Sequence, residues 1–246
     1  MQSMSPTLQR FCAWLGPLNI IGVSIGFAVI AGFFPPPSPE ASGATIAHFF
    51  VQNATWIQLG MLVMIVVQPL IIPWAALIAV RTRRQEEGFP LFTYAQVGCL
   101  GCAIFVLIII PMVWAVAAFR PGDIAPDITR MLNDTAWFLF LYTWPPFSAW
   151  NVFIAVPILR AKPGTEAFPR WVAYLNIWVA LLLFPAGVIG FFKTGPFAFN
   201  GVIAFYIPLA VFFGWIIAMT VMLLRGINED VQRATGDSGK EMQAAP

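Results

Sequence analysis

Charged residues divide this chain of 246 residues into six long uncharged windows. The shortest window holds the 22 residues between Arg170 and Lys193, and the longest holds the 40 residues between Glu40 and Arg81. A helix needs about 20 consecutive, mostly apolar residues to cross a bilayer. The pattern therefore predicts an all-α fold, a polytopic membrane helix bundle whose six transmembrane helices form three hairpins. The predicted spans are about 11–34, 57–80, 90–118, 135–159, 171–192 and 202–224.

Two of the predicted outer connections contain short amphipathic segments. In 44–56, polar residues such as His48 fall on one helical face and apolar residues such as Phe49 fall on another. The apolar residues of 126–132 follow a helical spacing in the same way. Both segments are expected to lie in the plane of the membrane interface and to cap the outer mouth of the bundle.

The composition agrees with a membrane protein. Hydrophobic residues make up 59% of the chain, charged residues make up 10%, and the mean hydropathy is +0.80. A soluble domain has about 25% charged residues. The lipid bilayer is therefore the expected principal partner, and a formal net charge of only +2 without a dense basic patch argues against nucleic acid.

The basic residues predict the orientation. With both termini in the cytoplasm, ten of the 13 Lys and Arg residues lie on the inner side, as the positive-inside rule requires. Residues 1–225 are then the transmembrane domain, and the polar segment 226–246 is predicted to be a disordered cytoplasmic tail. The three outer basic residues are Arg120, Arg130 and Lys193.

The chemistry available inside the membrane is restricted. No Asp, Glu, Lys, Arg or His falls inside a predicted span, whereas proton pumps and ion-coupled carriers place such residues at membrane depth. The only histidine, His48, lies in a predicted loop, and no cluster of metal-ligating residues is visible. We therefore expect no enzyme activity, no catalytic residue, no cofactor and no metal.

Two short motifs each allow two interpretations. Cys99 and Cys102 match the C-x-x-C pattern of redox or metal sites, but buried free cysteines also behave as small hydrophobic residues. Gly22 and Gly26 form a GxxxG motif, which permits close helix approach either within one bundle or across a dimer interface. The packing interpretation is favoured for both motifs.

Proline and aromatic residues are dense in the fourth predicted span. Every predicted span contains proline, and 142–151 reads YTWPPFSAWN. Internal prolines free backbone carbonyls, and kinked helices tend to separate and leave cavities. The candidate ligand-binding residues are Gln68, Tyr142, Trp144, Phe147, Ser148, Trp150 and Asn151.

A second polar set lies in the inner third of four different spans. It consists of Asn19, Gln96, Asn151 and Asn176. Such neutral side chains either hydrogen-bond between helices or supply the few polar groups of an apolar ligand pocket. The sequence leaves both interpretations open and favours the first.

The hairpin before the last span reads FFKTGPFAFNG over Phe191–Gly201, and the first loop contains three consecutive prolines, 35–37. In these features the chain resembles uncharacterised six-span integral membrane proteins of bacteria, common in actinobacteria, which have a similar FFKTGPF-x-x-NG hairpin. The resemblance implies six spans and a bacterial inner (plasma) membrane location. It implies no function.

Two functions are compatible with these features. The first is binding, or facilitated passage, of a small neutral hydrophobic molecule near the fourth span, with the outer amphipathic segments as lids. The alternative is a non-catalytic scaffold subunit of a larger membrane complex, which would use residues 81–84 and the inner tail as contact points. A homo-oligomer or a partner membrane protein is compatible with either function.

Overall fold

The computed structural model describes residues 4–162, 165 and 167–244 and shows eight α-helices. No strand occurs among these described residues, so the fold is an all-α bundle. The helices are α1 (Pro6–Ser24), α2 (Gly43–Val67), α3 (Ile71–Arg83), α4 (Leu91–Ala117), α5 (Pro126–Tyr142), α6 (Trp144–Arg160), α7 (Arg170–Leu182) and α8 (Ile207–Ala244). Short 3₁₀ or π-helical segments are Ile25–Ile30 after α1, Gln68–Leu70 between α2 and α3, Phe184–Phe191 after α7, and Val202–Tyr206 before α8.

Five helical stretches among the described residues are long and apolar enough to cross a membrane. They are Pro6–Ile30, Gly43–Arg83, Leu91–Ala117, Arg170–Phe191 and Val202–Gly236. These stretches support a multi-pass membrane protein. The fourth predicted span, 135–159, instead falls on two 17-residue helices, α5 and α6, which meet at Thr143.

The sequence accounts for this break. Pro145 and Pro146 occupy the first turn of α6, a position where their missing N–H groups cost no helical hydrogen bond. A helix continuing from α5 would need those N–H groups to bond to the carbonyls of Leu141 and Tyr142. The Thr143 hydroxyl donates to the Leu139 carbonyl at the same point. One helix therefore ends and another begins inside a segment that hydropathy alone predicts to be one continuous span.

Helices α2 and α5 begin earlier than the predicted spans. The Ser42 side chain caps α2 by accepting a hydrogen bond from the Thr45 N–H, and the helix continues through one 3₁₀ turn to Arg83. At 1.5 Å per residue these 41 residues extend about 60 Å, roughly twice the hydrocarbon thickness. The segments 44–56 and 126–132 are therefore parts of longer helices and not separate short helices, and their place in the membrane interface stays a prediction.

Helix α8 also extends beyond the predicted end of its span. Gly226 and Ile227 continue the helix, and Ile227 is buried. Asp230 accepts hydrogen bonds from Arg81 and Arg84, each at 3.2 Å. Helix α8 therefore continues past residue 226, where the disordered tail was predicted to begin. Residues 245 and 246 of that predicted tail lie outside the described residues.

The GxxxG motif packs within the bundle. A Cβ atom on Gly26 would lie 2.7 Å from the backbone oxygen of Gly60, and one on Gly22 would lie 2.9 Å from a methyl carbon of Val67. Both distances are shorter than side chains tolerate, so these glycines permit the close approach of the first helix to α2. The interpretation as packing within one chain is confirmed.

The bundle has two buried cores. In one, Trp74, Trp150 and Trp215 form a tryptophan cluster with ring centroids 5.3–6.2 Å apart. The other is an aromatic cluster that includes Trp114 and Trp137, 5.3 Å apart. The partly buried side chains of Leu107 and Trp144 contact both cores, so the two cores meet at these residues.

Candidate functional site

Two neighbouring cavities lie where the two cores meet. The larger has a volume of about 320 Å³ and lies between α1 and α8, and the smaller has a volume of about 90 Å³. Both are lined by Leu107 of α4, Phe140 of α5, and Leu209 and Phe212 of α8. The shared lining makes them two parts of one apolar region.

The lining is almost entirely hydrophobic. None of the described residues that line either cavity has an ionisable side chain. The four polar lining residues are Asn19, Ser24, Gln68 and Thr143. The hydroxyl of Ser24 donates to the Ile20 carbonyl at 2.7 Å, and the hydroxyl of Thr143 donates to a carbonyl of its own helix. In the larger cavity, the carboxamides of Asn19 and Gln68 therefore remain as the side-chain groups with hydrogen-bonding atoms not used within the protein.

Gln68 is the most unusual of the lining residues. It lies on the 3₁₀ turn between α2 and α3, and only 5% of its surface is exposed. Its backbone carbonyl accepts hydrogen bonds from the Ile71 N–H and from the Asn19 side chain. No hydrogen bond joins its side-chain carboxamide to any described residue. The carboxamide is therefore available to hydrogen-bond to a molecule in the cavity.

Asn19 is held in a defined orientation beside Gln68. Its Nδ2 donates to the Val67 carbonyl at 3.0 Å and to the Gln68 carbonyl at 3.3 Å. Because both neighbours are backbone carbonyls, which can only accept, the amide nitrogen must face them. The Oδ1 atom makes no hydrogen bond to any described residue. Asn19 thus joins the first helix to the α2–α3 turn and leaves one acceptor unused.

The structure brings together only part of the predicted site. Trp144 and Phe147 line the smaller cavity, and Gln68 lines the larger one. The Trp144 ring packs against Phe184 at 5.0 Å, and the Phe147 ring packs against Phe212 at 4.9 Å. These three predicted residues lie around the same apolar region.

The remaining predicted site residues line neither cavity. Trp150 belongs to the tryptophan cluster, Ser148 donates to the Ala180 carbonyl at 2.9 Å, and Asn151 donates to the Phe147 carbonyl of its own helix at 2.9 Å. Tyr142 lies on another surface, near Gly190 and in an open groove that also contains Asp134. The structure therefore does not gather the predicted residues of the 142–151 segment around one cavity.

The inner polar set is likewise dispersed. The Gln96 Nε2 donates to the Thr82 hydroxyl at 3.0 Å and to the Phe153 carbonyl at 3.2 Å. Asn176 accepts a hydrogen bond from the Trp215 indole at 3.0 Å. Asn19, Gln96 and Asn176 thus each bond to a different helix, as the interhelical interpretation predicts, and Asn19 alone also lines a cavity.

Sequence reasoning missed the four residues shared by both cavities. Leu107, Phe140, Leu209 and Phe212 are apolar residues in apolar helices, and nothing distinguishes them in the sequence from residues that face lipid. Their role depends on how the helices are rotated in the bundle. No local signal could have identified them.

The two cysteines of the C-x-x-C motif are not bonded to each other in the structure. Cys99 and Cys102 are free thiols, and Cys102 is exposed. Among the described residues, no group of three or more His, Cys, Asp or Glu side chains could hold a metal ion. The cavities are therefore the better candidate for a functional site.

Comparisons with known proteins assign no family. No protein-family model, curated protein or solved structure matches the chain. The resemblance to bacterial six-span proteins stays a prediction, and the cavities supply the functional information.

Proposed function

We propose that this multi-pass membrane protein binds, or facilitates the passage of, a small neutral hydrophobic molecule in the cavity between α1 and α8. The observation that carries the proposal is an apolar cavity of about 320 Å³ that contains two buried carboxamides. Ligand sites in proteins span roughly 300–1,000 Å³ and are mostly apolar with a few placed polar groups. A cavity at the lower end of that range fits a small molecule.

The lining favours a neutral ligand. A charge in an apolar environment loses several kcal/mol of hydration unless it is paired, and no ionisable described residue lines the cavity. Passage of a neutral molecule needs no titratable residue for coupling. The proposed transport is therefore facilitative.

The scaffold function remains the alternative. Its predicted contact points included Arg81, but Arg81 is 3% exposed and hydrogen-bonds to Asp230 inside the protein. Arg84, in the same predicted contact segment, has a side chain that is 55% exposed. The mass-spectrometric experiment below distinguishes the two functions.

We also propose six membrane crossings with both termini in the cytoplasm of a bacterial cell, α5 and α6 together forming the fourth crossing. In a variant with serine at the three native cysteine positions, we expect Asp123→Cys to react with a membrane-impermeant maleimide in intact cells. Thr165→Cys is expected to react only after the cells are permeabilised. Both positions are exposed to solvent. Labelling of Thr165→Cys in intact cells would contradict the crossing by α5 and α6.

Native mass spectrometry of the gently extracted protein tests the ligand-binding function. We expect a reproducible small adduct on the wild-type protein and its loss in Leu209→Trp, because the larger side chain occupies space in both cavities. Ile207→Trp makes a similar addition two residues earlier, where the side chain is exposed, and should retain the adduct.

Two results would count against the proposal. An adduct that persists in Leu209→Trp would lie outside the cavity. A folded wild-type protein that never carries an adduct but co-purifies with a specific protein partner would favour the scaffold alternative.

A further inference from the structure

We propose that the cavity between α1 and α8 recognises a hydroxyl group, so that its ligand is an alcohol or a phenol on an apolar body. This inference rests on the proposed ligand-binding function and specifies its ligand class. It depends on the unused hydrogen-bonding atoms of Asn19 and Gln68, two residues that belong to different helical segments and line the same cavity.

Asn19 supplies only an acceptor. Both hydrogens of its amide are directed to the carbonyls of Val67 and Gln68, so the amide cannot rotate without losing both hydrogen bonds. Its Oδ1 is therefore the atom left for a ligand. A ligand that satisfies Asn19 must donate a hydrogen bond.

Gln68 supplies both a donor and an acceptor. Its carboxamide is free of hydrogen bonds to the described residues, and the residue is 95% buried, since 5% is exposed. The side-chain Nε2 donates to an accepting oxygen, and Oε1 accepts. The pair Asn19 and Gln68 thus offers an acceptor from one residue and a donor from the other.

A hydroxyl group matches this pair with one atom. Its hydrogen is donated to Oδ1 of Asn19, and its oxygen accepts from Nε2 of Gln68. A ketone, quinone or ether oxygen accepts from Gln68 but leaves the Asn19 acceptor without a partner, and a hydrocarbon leaves both unsatisfied. Sites built to bond a hydroxyl reject analogues that lack it, because buried polar groups then stay unpaired.

The rest of the cavity defines the body of the ligand. Phe27, Phe140 and Phe212 supply aromatic area, and Met64 supplies a flexible side chain. The smaller cavity, with Trp144 and Phe147, continues the apolar region past Leu107. A molecule with one hydroxyl group and a compact aromatic or branched body fits these surroundings.

Binding of 1-naphthol and of its methyl ether, 1-methoxynaphthalene, to the full-length protein in nanodiscs tests the inference. Binding to empty nanodiscs is subtracted, and Leu209→Trp serves as the blocked-cavity reference. We expect the wild-type protein to prefer 1-naphthol by about fivefold or more, since one net hydrogen bond of about 1 kcal/mol corresponds to that ratio.

Gln68→Leu is expected to weaken the binding of both probes by about fivefold, because the oxygen of each accepts a hydrogen bond from Nε2 of Gln68, and to leave the preference for 1-naphthol unchanged. The variant loses no hydrogen bond within the described protein, so its melting temperature should be equal or higher. Gln52→Leu makes the same change at an exposed position earlier in α2 and should retain the wild-type affinity for both probes.

The outcomes separate the two proposals. If both probes bind in a manner blocked by Leu209→Trp but the preference for 1-naphthol is absent, or Gln68→Leu weakens the binding of neither probe, the hydroxyl inference is wrong and the ligand-binding function stands. If neither probe shows binding that Leu209→Trp blocks, the proposed cavity function fails and the inference fails with it.

Discussion

Replacing Trp150 with alanine should lower the free energy of unfolding by about 3–5 kcal/mol, the usual range for a buried tryptophan. Trp150 is 1% exposed, and its ring makes edge contacts with Trp74 at 6.2 Å and with Trp215 at 5.3 Å. The substitution removes three-way packing at the centre of the tryptophan cluster and leaves a cavity that rigid neighbouring rings cannot fill. Thermal unfolding in mild detergent measures the effect.

Trp178→Ala is the matched control for this prediction. Trp178 is 62% exposed on α7, so its loss should change the unfolding free energy by less than about 1 kcal/mol. Equal stability of the two variants would contradict the assignment of Trp150 to the core. The same result would again make Trp150 a candidate ligand-binding residue.

The second large effect is expected for Asp230→Ala, which should destabilise the protein by about 2–4 kcal/mol. Arg81 is almost completely buried, and Asp230 is its partner at 3.2 Å. Removing one member of a buried ion pair costs roughly 3–5 kcal/mol because the other charge stays uncompensated, and the partial exposure of Asp230 reduces that figure. Melting temperature in mild detergent is again the measurement.

Glu229→Ala separates this effect from a general loss of charge. Glu229 pairs with Arg233 at 3.8 Å on an exposed surface of the same helix, and such pairs contribute about 0.3–0.5 kcal/mol. If Asp230→Ala were as mild as Glu229→Ala, α8 would not be fixed to Arg81 beyond residue 226. That result would support the prediction of a disordered tail from residue 226.

Hydropathy predicted the membrane character and most of the helices because a bilayer requires long apolar stretches. It could not place helix ends outside the membrane, where no apolar residues are required. Ser42 therefore begins α2 well before the predicted span, and Asp230 continues α8 well after it. Pro145 and Pro146 indicate the helix break at Thr143, but the hydropathy summed over 135–159 does not show it.

The candidate site was only partly visible in the sequence. Gln68, Trp144 and Phe147 were identified because a polar or large aromatic residue stands out in an apolar helix. Trp150 stands out equally, but it faces the tryptophan cluster instead of the cavity. When nearly every face of a helix is apolar, residue type alone does not show which face packs on protein and which face contacts lipid.

The most direct test of the cavity function is a crystal structure of the wild-type protein grown from a lipidic mesophase. The account predicts density for a compact molecule between α1 and α8, in contact with Leu209 and hydrogen-bonded to the carboxamide of Gln68. A cavity closed by repacked side chains, or occupied only by a lipid acyl chain with no polar contact to Gln68, would contradict it.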